Sequence, residues 1–483
     1  MASSAVKSKF YKWHRVLGLI GLVPVIFWTL SGLSHPFMSN WFRPFIAKEI
    51  FKPLAQNEMK PVLSVQQVME QNHLQQLRNF NLIHFTKGTF YQVLDKDSVY
   101  RYYSANDGIL LPHGDVQYAE YLARFFTQDS TSAIKSMTLQ TAFDGQYQPI
   151  NHLLPVWKVS FNRPDGMDVY IETAQSRMGT FNNNTRKVML GVFEQFHTWQ
   201  FLADIAGDTF RNVFLLIVIS ILLFTLISGL TIYGLFWKKF KAIQQNRKVK
   251  GTEDKRFVHR FHRQIGLIVS FVMFTFVVSG AFHLIVKLYN NKPDKADYGS
   301  VINRNQLGVS NLTLPVADSL IKKTGVVSFN GNTYYQLVDN KKQVLYFDTQ
   351  TGKERELGDE DYARFLSTYY QNGQSPLNTF KGRVKVDVIK QFDNEYGFIN
   401  KRLPVERVGY PGGDNWYIET TSSKLATKVA GIDRAEGLSF IFLHKYFGMS
   451  WAGKDIRDIV SMLAALGVLV VSLFGFASFI KNK

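Results

Sequence analysis

The chain has no cysteine in its 483 residues. That single absence removes thiolate-ligated haem, covalent c-type attachment, iron–sulfur clusters and disulfides together. Histidine, present 11 times, is left as the natural strong ligand for any redox metal. Carboxylates are scarce as well, with 38 Asp and Glu against 56 Lys and Arg and a net charge of +18. No G-x-G-x-x-G follows a strand-like run and opens a helix, and the basic loop at 238–263 is far too short for a flavin or nicotinamide domain. G-x-S-x-G and H-E-x-x-H are also missing, which leaves a peptidase without a nucleophile or a zinc site.

A mean hydropathy of −0.09 suits a soluble protein, but the average hides four apolar runs of bilayer length. They lie near 16–37, 211–236, 264–286 and 457–479, separated by two polar stretches of domain size. The chain therefore reads as an integral membrane protein with two large extramembranous domains. The first run resembles a secretory signal peptide, since Lys7, Lys9 and Lys12 precede it. Its length, and an internal copy that no signal peptidase would remove, argue that it stays.

That copy is the main signal. Trp13-His14-Arg15-Val16-Leu17-Gly18-Leu19 through Ser31-Gly32-Leu33-Ser34-His35 recurs, 248 residues later, as Phe261-His262-Arg263-Gln264-Ile265-Gly266-Leu267 through Ser279-Gly280-Ala281-Phe282-His283. A third shared histidine opens each return to the membrane. Phe196-His197-Thr198-Trp199 leads to Gly207 and Arg211, and Leu443-His444-Lys445-Tyr446 leads to Gly453 and Arg457. The halves read as parallel repeats about an axis along the membrane normal. Ionisable residues are costly in a bilayer unless they do chemistry, and for paired histidines the usual chemistry is ligation of haem iron.

On a straight helix His14 and His35 are about 60° apart in azimuth and about 31 Å apart along the axis. Both can then face one bundle core, one at each membrane face. His14 and His262 are expected to supply both axial ligands of an inner haem. His35, His283, His197 and His444 should crowd the outer face, holding one haem with two histidines to spare, or two haems. Gly18, Gly32, Gly266 and Gly280 either give a porphyrin edge room or serve tight helix packing. Arg15, Arg263, Arg211 and Arg457 either clamp haem propionates or snorkel to headgroups. Trp13, Trp28, Trp41 and Trp237 fit an interfacial belt or a haem wall. A zinc reading of His259 with His262 is weakened because repeat one has Tyr11 in place of His259. His73, His84, His113 and His152 have no counterparts and read as solvated.

Basic residues set the orientation. Lys7, Lys9, Lys12 and Arg15 precede the first span, and the 237–263 loop carries ten Lys and Arg against Glu253 and Asp254; Lys481 and Lys483 close the chain. Both termini and this loop should be cytoplasmic, and the excess charge is then a topology signal, not a nucleic-acid footprint. The expected division is 1–38, cytoplasmic N-terminus and first span; 39–205, outer domain one; 206–237, second span; 238–263, basic loop; 264–287, third span; 288–450, outer domain two; 451–483, fourth span and C-terminus. Phe90–Asp95 matches Tyr334–Asp339, Tyr170–Thr173 matches Tyr417–Thr420, and Leu154-Pro155-Val156 matches Leu403-Pro404-Val405. Each outer domain should be α+β, with a small antiparallel sheet, helices at 115–127 and 359–371, and hairpin turns at 162–166 and 409–415.

An H-R-x-x-G-L start, an S-G near the end of the first span, a strand-rich outer domain and an L/F-H then G-x-x-x-R re-entry resemble the PepSY-associated transmembrane-helix family. The doubled order is similar to its two-repeat, haem-containing inner-membrane ferric-siderophore reductases. The resemblance covers nearly the whole chain, and it implies a four-helix transmembrane bundle holding haem b, two PepSY-like extracytoplasmic domains, and reduction of iron(III) chelates at the periplasmic face. This chain departs from the usual pattern in placing His35 and His283 at the outer ends of their spans. The expected protein is a bacterial inner-membrane cytochrome with two haem b groups, fed by quinol or a separate cytoplasmic reductase, that reduces a ferric siderophore or other iron(III) chelate docked between the outer domains. The alternatives are a non-enzymatic membrane sensor or binding protein, and a haem transporter.

Overall fold

The computed structural model describes residues 3–250, 257–289, 297–308, 316–372 and 384–480. Glu253, Asp254, Lys255 and Arg256 of the basic loop, with Lys481 and Lys483, lie outside them. The chain divides into two compact units: Met1–Arg43, Thr185–Lys292 and Ile432–Lys483 form one, Pro44–Asn184 and Pro293–Gly431 the other. Residues 185–205 and 432–450, expected in the outer domains, thus fold with the spans.

The first unit is helical: α1 Ser4–Ile20, α2 Leu22–Pro36, α3 Asn184–Phe196, α4 Gln200–Leu235, α5 Trp237–Lys250, α6 Phe257–Tyr289 and α7 Lys454–Ile480. Helices α4, α6 and α7 are each long and apolar enough to cross a membrane. The first apolar run is not one straight helix. Helices α1 and α2 meet at a 51° bend, because Pro24 has no N–H to give the carbonyl of Ile20, and Gly21 sits at the break. The straight-helix estimate of about 31 Å between His14 and His35 does not carry over. Helix α1 packs on α4, α4 on α6, α6 on α7, and α7 on α2. Between them lies an aliphatic core of Val25, Leu222, Val269, Val277, Val468 and Val471.

The return to the span is built alike twice. Trp199 and Tyr446 have φ of 55° and 51°, and Gly207 and Gly453 have φ of 84° and 83°. A side chain at either glycine would be strained in that left-handed region. This is why the re-entry motif begins with glycine.

The second unit is α+β. Strands β1 Asn79–Phe85, β2 Gly88–Leu94, β3 Tyr100–Ser104 and β4 Leu110–Leu111 form one antiparallel meander, and β5 Ile134–Gln140, β6 Val156–Phe161, β7 Asp168–Glu172 and β8 Arg177–Asn182 a second. The later segment repeats the order with β9 Ile321–Phe329, β10 Asn332–Asp339 and β11 Val344–Asp348, then β12 Lys385–Ile389, β13 Val405–Gly409, β14 Asn415–Glu419 and β15 Lys424–Val429. Helices Gly114–Thr127 and Gly358–Asn372 stand where expected, and the turns at 162–166 and 409–415 join β6 to β7 and β13 to β14. The two segments are not separate bodies. Gln76–Leu77 pairs with Ile302–Asn303, and Phe80, Tyr91, Tyr335, Leu337 and Phe347 share one core.

Candidate functional site

All six duplicated histidines lie in the helical unit, and the structure sorts them into two close pairs and two flanking rings. His14 and His262 face each other with ring centroids 6.1 Å apart. The His14 Nδ1–H donates to the Thr225 carbonyl at 3.0 Å and the His262 Nδ1–H to the Val471 carbonyl at 2.8 Å. A carbonyl only accepts, so each Nδ1 carries the proton and each Nε2 keeps its lone pair, as a metal-ligating imidazole requires. Two imidazoles sharing one metal ion at bonds of about 2 Å have centroids about 6 Å apart, which matches this spacing.

Glycines create the approach. At Gly18 and Gly266, one turn after each histidine, an added Cβ would make only ordinary contacts, with Thr225 at 3.7 Å and Val471 at 3.5 Å. Gly229 and Gly475, one turn beyond those carbonyls, matter more. A Cβ there would come within 2.9 Å of the His14 ring and 3.0 Å of the His262 ring. Sequence reasoning missed this pair, although both occur at the same place in the second and fourth spans. The histidines open onto a cavity of roughly 1150 Å³ also lined by Arg15, Gly18, Gly266 and Arg263.

The second pair is His197 and His444, with centroids 6.5 Å apart and planes at 87°. Ser31 Oγ donates its proton to the Phe27 carbonyl at 2.6 Å and so accepts from His197 Nδ1 at 3.1 Å. The matching atoms of the later half, Ser279 Oγ and His444 Nδ1, are both buried with no hydrogen-bond partner among the described residues. Phe193 stacks on His197 at 4.5 Å and Phe440 on His444 at 4.9 Å. In each case the phenylalanine lies four residues earlier, on a turn widened by a bond from residue i+5, Thr198 or Lys445, to its carbonyl. These two phenyl rings were not anticipated.

His35 and His283 stand behind those phenyl rings, His35 at 5.5 Å from Phe193 and His283 at 5.6 Å from Phe440. His283 Nδ1 is also held by Glu436 at 2.5 Å. The four-histidine crowd expected at this end is thus one pair with two flanking members.

The other expected residues divide. Arg15 lies 4.8 Å from the Phe479 ring centre and Arg263 4.1 Å from that of Phe240. Arg211 is occupied by Asp208 at 2.8 Å and Gln200 at 2.6 Å, and Arg457 sits in the first turn of α7. Gly280 packs against Ile219, whereas Gly32 faces open space, so neither shapes a histidine pair. Trp28 donates to the His197 carbonyl at 2.9 Å, while Trp13, Trp41 and Trp237 are exposed. His259 bonds Ser478. His73, His84 and His113 are exposed and His152 is half-buried. Among the described residues no three His, Asp or Glu side chains converge on a single-ion site.

Compared with known proteins, the chain matches the family described as PepSY-associated TM region over residues 126–482. The search of curated proteins returns no match.

Proposed function

Because the chain belongs to the PepSY-associated transmembrane family, we propose that it is a b-type membrane cytochrome passing electrons across the bacterial inner membrane to an iron(III) chelate such as a ferric siderophore. The spans form a four-helix bundle of two parallel repeats, α1 with α2, α4, α6 and α7, with termini and basic loop cytoplasmic and the α+β segments periplasmic. The observation that carries the reading is the His14–His262 pair at 6.1 Å, with both Nδ1 protons engaged by carbonyls and a cavity alongside. A single structural histidine would need none of this duplicated apparatus.

In this reading His14 and His262 hold an inner haem and His197 and His444 an outer one. Bound haem supplies one-electron chemistry at iron. The protein's own residues do the rest. Thr225 and Val471 fix the inner imidazole tautomers, Ser31 fixes that of His197, and Gly229 and Gly475 leave room for the rings. The aliphatic core between the pairs excludes water. Reduction releases iron(II), which hard-oxygen chelators bind weakly. The donor is quinol or a separate cytoplasmic reductase.

The test is the visible spectrum of purified protein, expected to be dithionite-reducible, b-type and close to two haems per chain. A colourless protein that fails to take up added haem would sink the cytochrome in favour of a sensor.

A further inference from the structure

The cavity beside His14 and His262 is one-sided in charge. Arg15, Lys239, Lys241, Arg260 and Arg263 line it, and among the described residues no Asp or Glu does. Two of these cations immediately follow the paired histidines in sequence. Arg15 lies near the rings of Phe479 and Tyr11, and Arg263 near that of Phe240, and neither makes an ion pair or hydrogen bond among the described residues. A guanidinium has five donors in a planar fork. Ring faces support its plane but are only weak acceptors for those N–H groups, so strong acceptors must come from elsewhere. Arg211 shows the contrast: Asp208, Gln200 and Asn212 engage it.

We propose that Arg15 and Arg263 are the anion-recognition elements of the inner cavity, each pairing with one carboxylate of a planar dianion, so that the bound tetrapyrrole turns its two propionates toward the turns of α1 and α6 that carry these arginines. This rests on the cytochrome reading and adds orientation and ligand charge to it. The geometry is local: the residue after each ligating imidazole grips the same molecule, one site through a metal bond and the other through a charge-assisted pair. Anionic oxygens can also come from phospholipid headgroups, which would occupy the same forks without touching the cofactor.

The probes are protohaem and its dimethyl ester, which keeps the iron and ring but has no carboxylate. Full-length apoprotein in nanodiscs of neutral lipid is titrated with each, and occupancy of the inner pair is read from the bis-histidine spectrum in a His444→Ala background. The ester is expected to bind about tenfold or more weakly than protohaem. Arg15→Gln and Arg263→Gln should weaken protohaem by a similar factor and leave the ester unchanged, with Arg15→Lys partly restoring it. Resonance Raman propionate bending modes should shift in the same variants. Equal affinity for the two probes in wild type, with or without anionic lipid added, would assign the arginines to headgroups and overturn the proposal while leaving the cytochrome intact. Failure to bind either probe would instead overturn the cytochrome reading and this proposal with it.

Discussion

At the scale of single residues, the site depends on groups that touch imidazole more than on the imidazoles' sequence context. His262→Ala is expected to lose about half the bound haem and to stop reduction by the physiological donor. The outer haem should still be reduced by dithionite and reoxidised by ferric chelate. His444→Ala should do the converse, keeping donor-side reduction and abolishing chelate reduction. Full haem content and normal chelate reduction in His262→Ala would make the helix-start histidines structural. Gly229→Ala places a methyl group within 2.9 Å of the His14 ring, so it should perturb the inner haem spectrum and not the outer one. Ser31→Ala removes the acceptor at His197 Nδ1 and should weaken outer-haem retention by roughly tenfold to a hundredfold, measured by haem transfer to apomyoglobin.

At the scale of elements, two sheets of like order differ at one buried pair. In the earlier segment Asp115, at the start of its helix, accepts from Tyr102 at 2.8 Å and from the Trp157 indole on β6 at 2.5 Å. In the later one Asp359 accepts from Tyr346 at 2.8 Å, but Glu406 of β13 stands in the tryptophan's place, opposite Ile418 as Trp157 is opposite Ile171. A donor has become an acid, and the two carboxyls must share a proton. Burial, then Asp359, pushes Glu406 up to about 9. The folded state therefore holds a proton that the unfolded chain releases near the ordinary carboxylate pKa. Stability from this pair is complete below about pH 4.5 and declines as pH rises toward 9. Glu406→Gln should flatten that decline in the thermal midpoint of the full chain, by several degrees at the alkaline end. An unchanged pH profile would rule out the shared proton.

At the scale of the whole molecule, the two α+β segments are held together by charges buried at their junction. Arg177 binds Glu172 at 2.8 Å and Glu419 at 2.7 Å, and Arg402 binds Glu419 at 2.6 Å. Against the burial penalty, Arg177 and Arg402 hold the Glu419 carboxyl well below its usual range. Removing one partner strands a buried charge, so Arg402→Ala should cost about 3–5 kcal/mol, read by chemical denaturation of the full chain. A cost under about 1 kcal/mol would equate the pair with a surface salt bridge. Orientation is testable at the same scale. A reporter fused after Lys250 should be active only as a cytoplasmic fusion, and one near Asp359 only as an exported fusion. The reverse would invert the proposed electron flow.

The sequence alone determined whatever depends on periodicity and identity along the chain: four apolar runs, the duplicated histidines, the strand and helix pairs of the α+β segments, and the family. These are legible because bilayer length, helical spacing and strand alternation are local constraints. The His14–His262 pairing was already expected from the duplicated motif, but which of the four outer imidazoles meet was decided only in the tertiary structure. Helix azimuth and depth depend on bends such as the one at Gly21, and on close approaches at Gly229 and Gly475, which involve partners more than 200 residues away. For the same reason the sequence did not single out Phe193 and Phe440, and the α+β segments read as two domains. A shared core and a buried charge network form between surfaces that no local pattern relates.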